Sequence, residues 1–241
     1  MSAFAALAVI DPGVGAPAPL LAAMDAALHD SRARIELGDA SSDEVLAVLA
    51  ALVPEARRLQ ADLGIAPEVT ADTLIDVGAK HRTFGARTEV PWLLGLLRGD
   101  VLSMGRLQVE RRADAEAHRL HVPERGPLAP AAVDESLDRA RTLMGATRFV
   151  CTSWLLDPVL AERLPASNIA SFARRFALDP TSTGPSAAGA GSAAKFVFAA
   201  TVGEVRDARR VTPRTRLETL VAERLRSGIG WAEPTGSFTR S

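Results

Sequence analysis

The sequence predicts a mixed α/β protein with a helical first part, and three features carry that expectation. Apolar residues keep a helical period through the first ninety or so residues, they alternate with polar ones after residue 100, and the later strand-like segments are separated by stretches long enough for crossover helices. With 241 residues, 47% of them hydrophobic, the chain can bury one large core or two small ones.

In the first part, Ser41 and Glu44 have capping-box spacing, and Val45, Leu46, Val48, Leu49 and Leu52 follow. Pro54 predicts a kink or break, since proline lacks the amide and crowds the preceding turn. Thr70 is expected to cap a helix carrying Leu74, Ile75 and Val77. Pro91 is expected to begin another, with Trp92, Leu93, Leu94, Leu96 and Leu97 on or near its buried side, and Gly99-Asp100 to turn the chain.

The second part reads as strand, strand, helix, strand, helix, strand, helix. Leu107 and Val109 alternate with Arg106, Gln108 and Glu110, and Arg119 to Val122 alternates again after a small polar connection. Pro130 suits the first position of a helix carrying Val133, Leu137, Ala140 and Met144. Residues 148–156 form a strand candidate stopped by Asp157-Pro158, then a short helix around 159–164 and a second at 168–176 are expected. The run TSTGPSAAGAGSAA at 181–194 reads as a mobile loop and 195–202 as a strand. Thr212-Pro213 is expected to cap a last helix with Leu217, Leu220, Val221 and Leu225 on one face, ended by Gly228 and Gly230.

Charge and cysteine content narrow the function classes. Twenty-eight basic against 29 acidic residues give no excess of the kind a general nucleic-acid binder carries, so no nucleic-acid partner is expected. One cysteine, Cys151, excludes an internal disulfide and any metal site built on cysteine pairs, and none of the four histidines has a zinc-type spacing with a carboxylate, so no metal is expected. Residues 3–10 are apolar but too few to span a membrane, and Pro17, Pro19 and Asp25 interrupt residues 14–28; no membrane association and a cytoplasmic location are the expectation.

The string LHVPERGPLAPAAVDESLDRA, then FVCTSWLLDPVLAERLPASNIASFARRF, then RTRLETLVAERLRSG followed by Gly236 and Phe238, resembles a bacterial two-part family. Its members join a helical N-acyltransferase N-terminal domain to a GNAT-like C-terminal domain. GRLQVE at 105–110 fits the entry into the C-terminal domain, and PWLLGLLRGD at 91–100 looks like the linker helix. The resemblance implies a helical domain over residues 1–98 and, over 99–241, a strongly twisted mixed sheet with flanking helices and two splayed parallel central strands. It also implies an acyl-CoA, acetyl or longer, whose pantetheine lies in the gap and whose pyrophosphate sits at the loop after the first splayed strand.

Carried onto this sequence, the first splayed strand is 119–122 and the pyrophosphate loop is 124–129. The resemblance assigns Val122, Arg125, Gly126, Leu128 and Asn168 to cofactor binding. Exposed amides and the dipole at a helix start favour an anion, and Gly126 permits close backbone approach. Against a typical loop of this kind, glycine is sparse, Pro123, Pro127 and Pro130 donate nothing, and Glu124, Asp134 and Glu135 add negative charge. A phosphopantetheine on an acyl carrier protein, which lacks the adenosine end, fits the same loop. On residue chemistry alone the loop reads first as a proline-rich turn with a normal helix start, an order the resemblance reverses, and Ser167-Asn168 also suits a helix cap.

Acylation of an amine needs a base, an oxyanion donor and protonation of the leaving thiolate. His121 and Glu110 are the base candidates and the Val122 region the oxyanion donor. On residue chemistry alone His121 also suits a half-exposed strand position, and Glu110 an ion pair with Arg111 or Arg112. The family's tyrosine acid has no counterpart, because the chain contains no tyrosine; Ser153, Cys151 or water are the substitutes. Cys151, between Val150 and Thr152 in an apolar strand, reads foremost as a small core residue. The function expected is an acyl-CoA-dependent N-acyltransferase of GNAT type with a small-molecule amine acceptor. The alternatives are an inactive GNAT-like binding or regulatory module and an O-acyl or carrier-protein-fed transferase.

Overall fold

The computed structural model describes residues 15–84 and 89–240, and the apolar run at 3–10 lies outside them. The described residues divide into two compact units, one ending at Arg112 and one starting at Ala113.

The first unit is helical with one β-hairpin. Its helices are α1 (Ala18–His29), α2 (Ser42–Ala51), α3 (Val53–Asp62), α4 (Pro67–Phe84) and α5 (Val90–Arg98). Ser41 accepts from the Glu44 amide while Glu44 bonds back to the Ser41 amide, so the capping box forms. Pro54 sits in the first turn of α3, and the chain breaks between α2 and α3 at Leu52. Thr70 does not cap α4, which begins three residues earlier at Pro67, where proline needs no helical amide partner. Met24, Leu28, Val48, Leu49, Leu74 and Leu97 are fully buried in one cluster drawn from all these helices but α3, which adds Val53 and Ala56. The buried Gln60 side chain donates to the Leu96 and Leu97 carbonyls at 2.9 and 3.0 Å, satisfying the end of α5. Gly99 then takes a left-handed φ of 72° and turns the chain into β1 (Val101–Ser103), antiparallel to β2 (Gln108–Glu110).

The second unit is an α/β layer. Its sheet contains β3 (His118–His121), β4 (Arg148–Thr152), β5 (Ala177–Leu178) and β8 (Thr235–Thr239), with β8 between β4 and β5. β3 and β4 are parallel, β4 and β8 antiparallel over five pairs from Arg148↔Thr239 to Thr152↔Thr235. The sheet is therefore mixed, and its β3-to-β4 crossover is helix α6 (Pro130–Met144), with Pro130 in the first turn as expected. One face buries Phe149, which stacks on Phe238 at 5.4 Å; Phe176 meets Phe238 edge-on at 4.9 Å. The expected strand 148–156 stops at Thr152, because Ser153 Oγ accepts from the Leu155 amide and opens a 3-10 turn. Helices α7 (Pro158–Arg163) and α8 (Asn168–Ala173) follow, and Ser167, not Asn168, caps α8 through the Ala170 amide.

The region read as a mobile loop and a strand is ordered and helical. β6 (Pro185–Ser186) pairs with β7 (Trp231–Ala232), and α9 spans Ala187–Phe198. The small residues serve close packing rather than flexibility. Ser186 caps α9 through the Gly189 amide, Ala193 and Ala194 are fully buried, and a Cβ on Gly189 would sit 2.6 Å from the Ala232 carbonyl carbon. α10 (Val202–Arg206) and α11 (Arg216–Arg226) complete this layer; Thr215, not Thr212, caps α11 through the Glu218 amide. Trp231 is fully buried, its Nε1 donating to the Trp154 carbonyl at 2.9 Å. Asp157 ties the same corner together, accepting from the Val159 amide at 3.0 Å and the Ala232 amide at 2.8 Å.

An ion network fastens the chain end to the sheet's helical layer. Arg175 bonds both carboxylate oxygens of Asp134 at 2.7 and 3.1 Å, and Arg240 reaches Asp134 at 2.6 Å and Asp138 at 2.9 and 3.1 Å. Arg175 first, then Arg240, holds the Asp134 carboxyl down to about 2 from its ordinary 3.8.

Two outcomes follow for stability. Gly189→Ala is expected to lower it by about 1–3 kcal/mol through overpacking, despite alanine's helix preference, whereas Gly191→Ala, which meets nothing within 4 Å, is expected to be neutral or stabilising by up to about 1 kcal/mol; thermal unfolding of both variants checks this. Because the Asp134 carboxyl is depressed on folding, its contribution is present above about pH 4 and is lost as pH falls toward 2. Asp134→Asn should remove about 1 kcal/mol near neutral pH, the scale of a part-exposed pair, and flatten the pH 4-to-2 stability loss measured by denaturant unfolding.

Candidate functional site

The ladder between β3 and β4 holds two residue pairs, His118↔Phe149 and Arg119↔Val150. Both strands run on past it, β3 to His121 and β4 to Thr152. In the same register Leu120 would face Cys151 and His121 would face Thr152, yet these pairs are absent from the ladder. β4 keeps its five pairs with β8 to the end, and the Ser153 amide donates to the Pro234 carbonyl on that side. The chain of β3 goes on through Val122 into Pro123, which has no amide for a ladder. Two parallel neighbours thus part at their carboxyl ends.

The loop from Pro123 to Ala129 leads from the parted end of β3 into α6. Gly126 there has a φ of 61°, a conformation that favours glycine, and a Cβ on it would meet open space. The start of α6 differs from every other helix of this unit: α7, α8, α9, α10 and α11 are capped by Asp157, Ser167, Ser186, Thr201 and Thr215, while Ala129 offers α6 no side-chain cap. The Val133 amide closes the first turn on the Ala129 carbonyl, and the amides of Ala131 and Ala132 have no acceptor among the described residues. Leu128 is buried and anchors the loop; Arg125 is half-buried and Gly126 exposed. Asp134, one turn into α6, has its charge offset by Arg175 and Arg240, so the carboxylate that argued against an anion here is compensated.

The other residues singled out from sequence are distributed as follows. His121 and Val122 are half-buried at the end of β3, beyond its ladder with β4. Ser153 is half-buried directly after β4, its Oγ engaged by the Leu155 amide. Asn168 is the first residue of α8, exposed, with the cap made by Ser167. Glu110 closes β2, opposite Val101, in the first unit. Cys151 is fully buried and burial pushes its thiol up to about 12, which suits a core residue and not a nucleophile. Sequence reading missed Arg119 and Thr152, whose Nη1 and Oγ1 lie 3.5 Å apart where β3 and β4 separate; the half-buried alternation of β3 is the signal that placed Arg119 on this face. No helix among the described residues is long and apolar enough to cross a membrane, and no group of three metal-ligating side chains occurs among them.

Comparison with known proteins agrees with this architecture. A family model described as a GNAT-like C-terminal domain matches residues 77–238. No curated protein matches the chain. Among solved structures, an acyltransferase in complex with CoA and 10C-teicoplanin superposes with a TM-score of 0.77 at 31% identity, covering 92% of this chain and 76% of that one. A mutant acyltransferase in complex with octanoyl-CoA gives the same TM-score, identity and coverage. An acyltransferase in complex with decanoyl-CoA has a TM-score of 0.75 at 27% identity, with the same coverage.

Proposed function

The chain belongs to the family of GNAT-like C-terminal domains, and from that premise we propose that it is an acyl-CoA-dependent acyltransferase acting on a small-molecule amine. The observation that carries this reading is the ladder of β3 and β4 stopping after Arg119↔Val150, beside an uncapped helix start. A parted strand pair leaves an opening between the ends of β3 and β4 into which a pantetheine arm fits. The α6 start, with the Ala131 and Ala132 amides and the helix dipole, offers donors to a pyrophosphate. Gly126 keeps the approach open, and Arg125, Leu128 and Asn168 are assigned to the same cofactor. The solved acyltransferases bind CoA, octanoyl-CoA and decanoyl-CoA, which favours medium-chain donors over acetyl-CoA. The one in complex with 10C-teicoplanin favours a small-molecule acceptor.

In the reaction the acceptor nitrogen attacks the thioester carbonyl carbon, a C–N bond forms, and the C–S bond breaks. His121, on the parted end of β3, takes the proton the amine loses; Glu110 is the second choice. The Val122 amide stabilises the oxyanion. The departing thiolate is stable enough near neutral pH to leave without a dedicated acid and takes its proton from solvent, through Ser153 or directly, which accommodates a chain without tyrosine.

Thermal unfolding with acetyl-, octanoyl- and decanoyl-CoA tests donor binding. A donor at a hundred times its Kd adds about 2.7 kcal/mol of stability, and Gly126→Val should weaken that shift; no shift with any of them would overturn the reading. Thiol release against an amine panel then tests turnover. His121→Gln is expected to lower kcat by about 10²–10⁴-fold with little change in the donor-induced stability shift; an unaltered kcat would remove His121 from the reaction.

A further inference from the structure

The parted ends of β3 and β4 carry a second polar side chain besides His121. Arg119 pairs with Val150, so these two share a sheet face, and two residues further along the parallel strands His121 and Thr152 stand on that same face. The other face is the core, where Leu120, Phe149 and Cys151 are buried, whereas His121 is half-buried and Thr152 exposed. Paired strands stand about 4.8 Å apart. His121 and Thr152 lie where β3 and β4 no longer pair, which leaves between them the room that a thioester needs.

Thr152 sits in a defined hydrogen-bond setting. Its Oγ1 lies 2.8 Å from Oγ1 of Thr235, its ladder partner on β8, and 3.5 Å from Arg119 Nη1. A guanidinium can only donate. When Thr235 donates as well, Thr152 Oγ1 accepts two hydrogen bonds and its own O–H turns outward. Both contacts favour negative charge on that oxygen, so it yields its proton more readily than an isolated hydroxyl does. Ser153 is less well placed: strand alternation puts it on the face opposite His121, and its Oγ accepts from the Leu155 amide at 3.1 Å.

Given the transferase reading, on which this step rests, we propose that Thr152 gives the leaving sulfur its proton and that Thr235 is the positioning residue that resupplies it. As the C–S bond breaks, its electron pair takes the proton of Thr152 Oγ1. Thr152 takes the proton of Thr235 Oγ1, and Thr235 takes one from solvent. The amine's proton leaves through His121 on the other strand, so the products are the amide and the free CoA thiol. A hydroxyl opposite the base thus serves a chain that contains no tyrosine. Because a thiolate already leaves well near neutral pH, the donor is worth about ten-fold, less than a full general acid.

Thiol release from decanoyl-CoA with hydroxylamine, an amine small enough to need no acceptor seat, tests this on the full chain. Thr152→Val keeps the shape and removes the hydroxyl. Its kcat is expected to fall about ten-fold, with the KM for decanoyl-CoA unchanged within about two-fold. Thr152→Ser, which keeps the hydroxyl and loses the methyl, is expected to stay within about three-fold of the unaltered chain. Thr235→Val is expected to lower kcat about three-fold in the unaltered chain and not at all in the Thr152→Val background, and it carries the test where Thr152→Val does not fold. An unchanged kcat in Thr152→Val, a Thr152→Ser variant as slow as the valine one, or a Thr235→Val loss that persists without the Thr152 hydroxyl overturns the proposal. Normal release with an indifferent Thr152 overturns the proton donor alone, whereas no release beyond the uncatalysed rate from the unaltered chain overturns the transferase reading along with it.

Discussion

The second unit is organised around an unequal competition for β4. On one side β8 holds it by five antiparallel pairs, Phe149 and Phe238 stack at 5.4 Å, and the Ser153 amide continues to the Pro234 carbonyl. On the other side β3 holds it by two parallel pairs and then departs toward Pro123. The unequal hold leaves β3 and β4 diverging beyond Arg119 and Val150. The chain belongs to the family of GNAT-like C-terminal domains, and the similar solved acyltransferases are bound to CoA or acyl-CoA.

Side-chain ties link the neighbouring elements of the unit. Asp157 joins the turn after β4 to β7, Trp231 donates to the Trp154 carbonyl, and α9 packs its glycine face against the β7 backbone. Arg175 and Arg240 converge on Asp134 in α6, joining the crossover helix to the chain end and offsetting a negative charge one turn from the uncapped helix start. The two effects use the same pair of arginines. A helix start that receives an anion gains from neutral surroundings.

Much of this was legible in the sequence because local chemistry decided it. The capping box at Ser41, the break near Pro54 and the start of α6 at Pro130 follow from single-residue preferences that tertiary packing did not override. The splayed strands were legible only through resemblance, since alternation over four residues says nothing of a neighbour's departure. The stretch 181–194 misled for a physical reason: small residues signal flexibility in isolation and close approach when a backbone such as that of Trp231 and Ala232 lies against them. The caps at Thr70 and Thr212 failed because Pro67 and Thr215 offered better starts. The face carrying Arg119 and Thr152 together could not be read, because it depends on the parallel register that brings the two side chains together.

The most direct test is a crystal structure of the chain with CoA or a non-reactive decanoyl-CoA analogue. The account predicts pantetheine density between β3 and β4 beyond Arg119 and Val150, with the pyrophosphate against the Ala131 and Ala132 amides. A ladder that instead runs on to join His121 with Thr152, with the nucleotide bound elsewhere or nowhere, would contradict it.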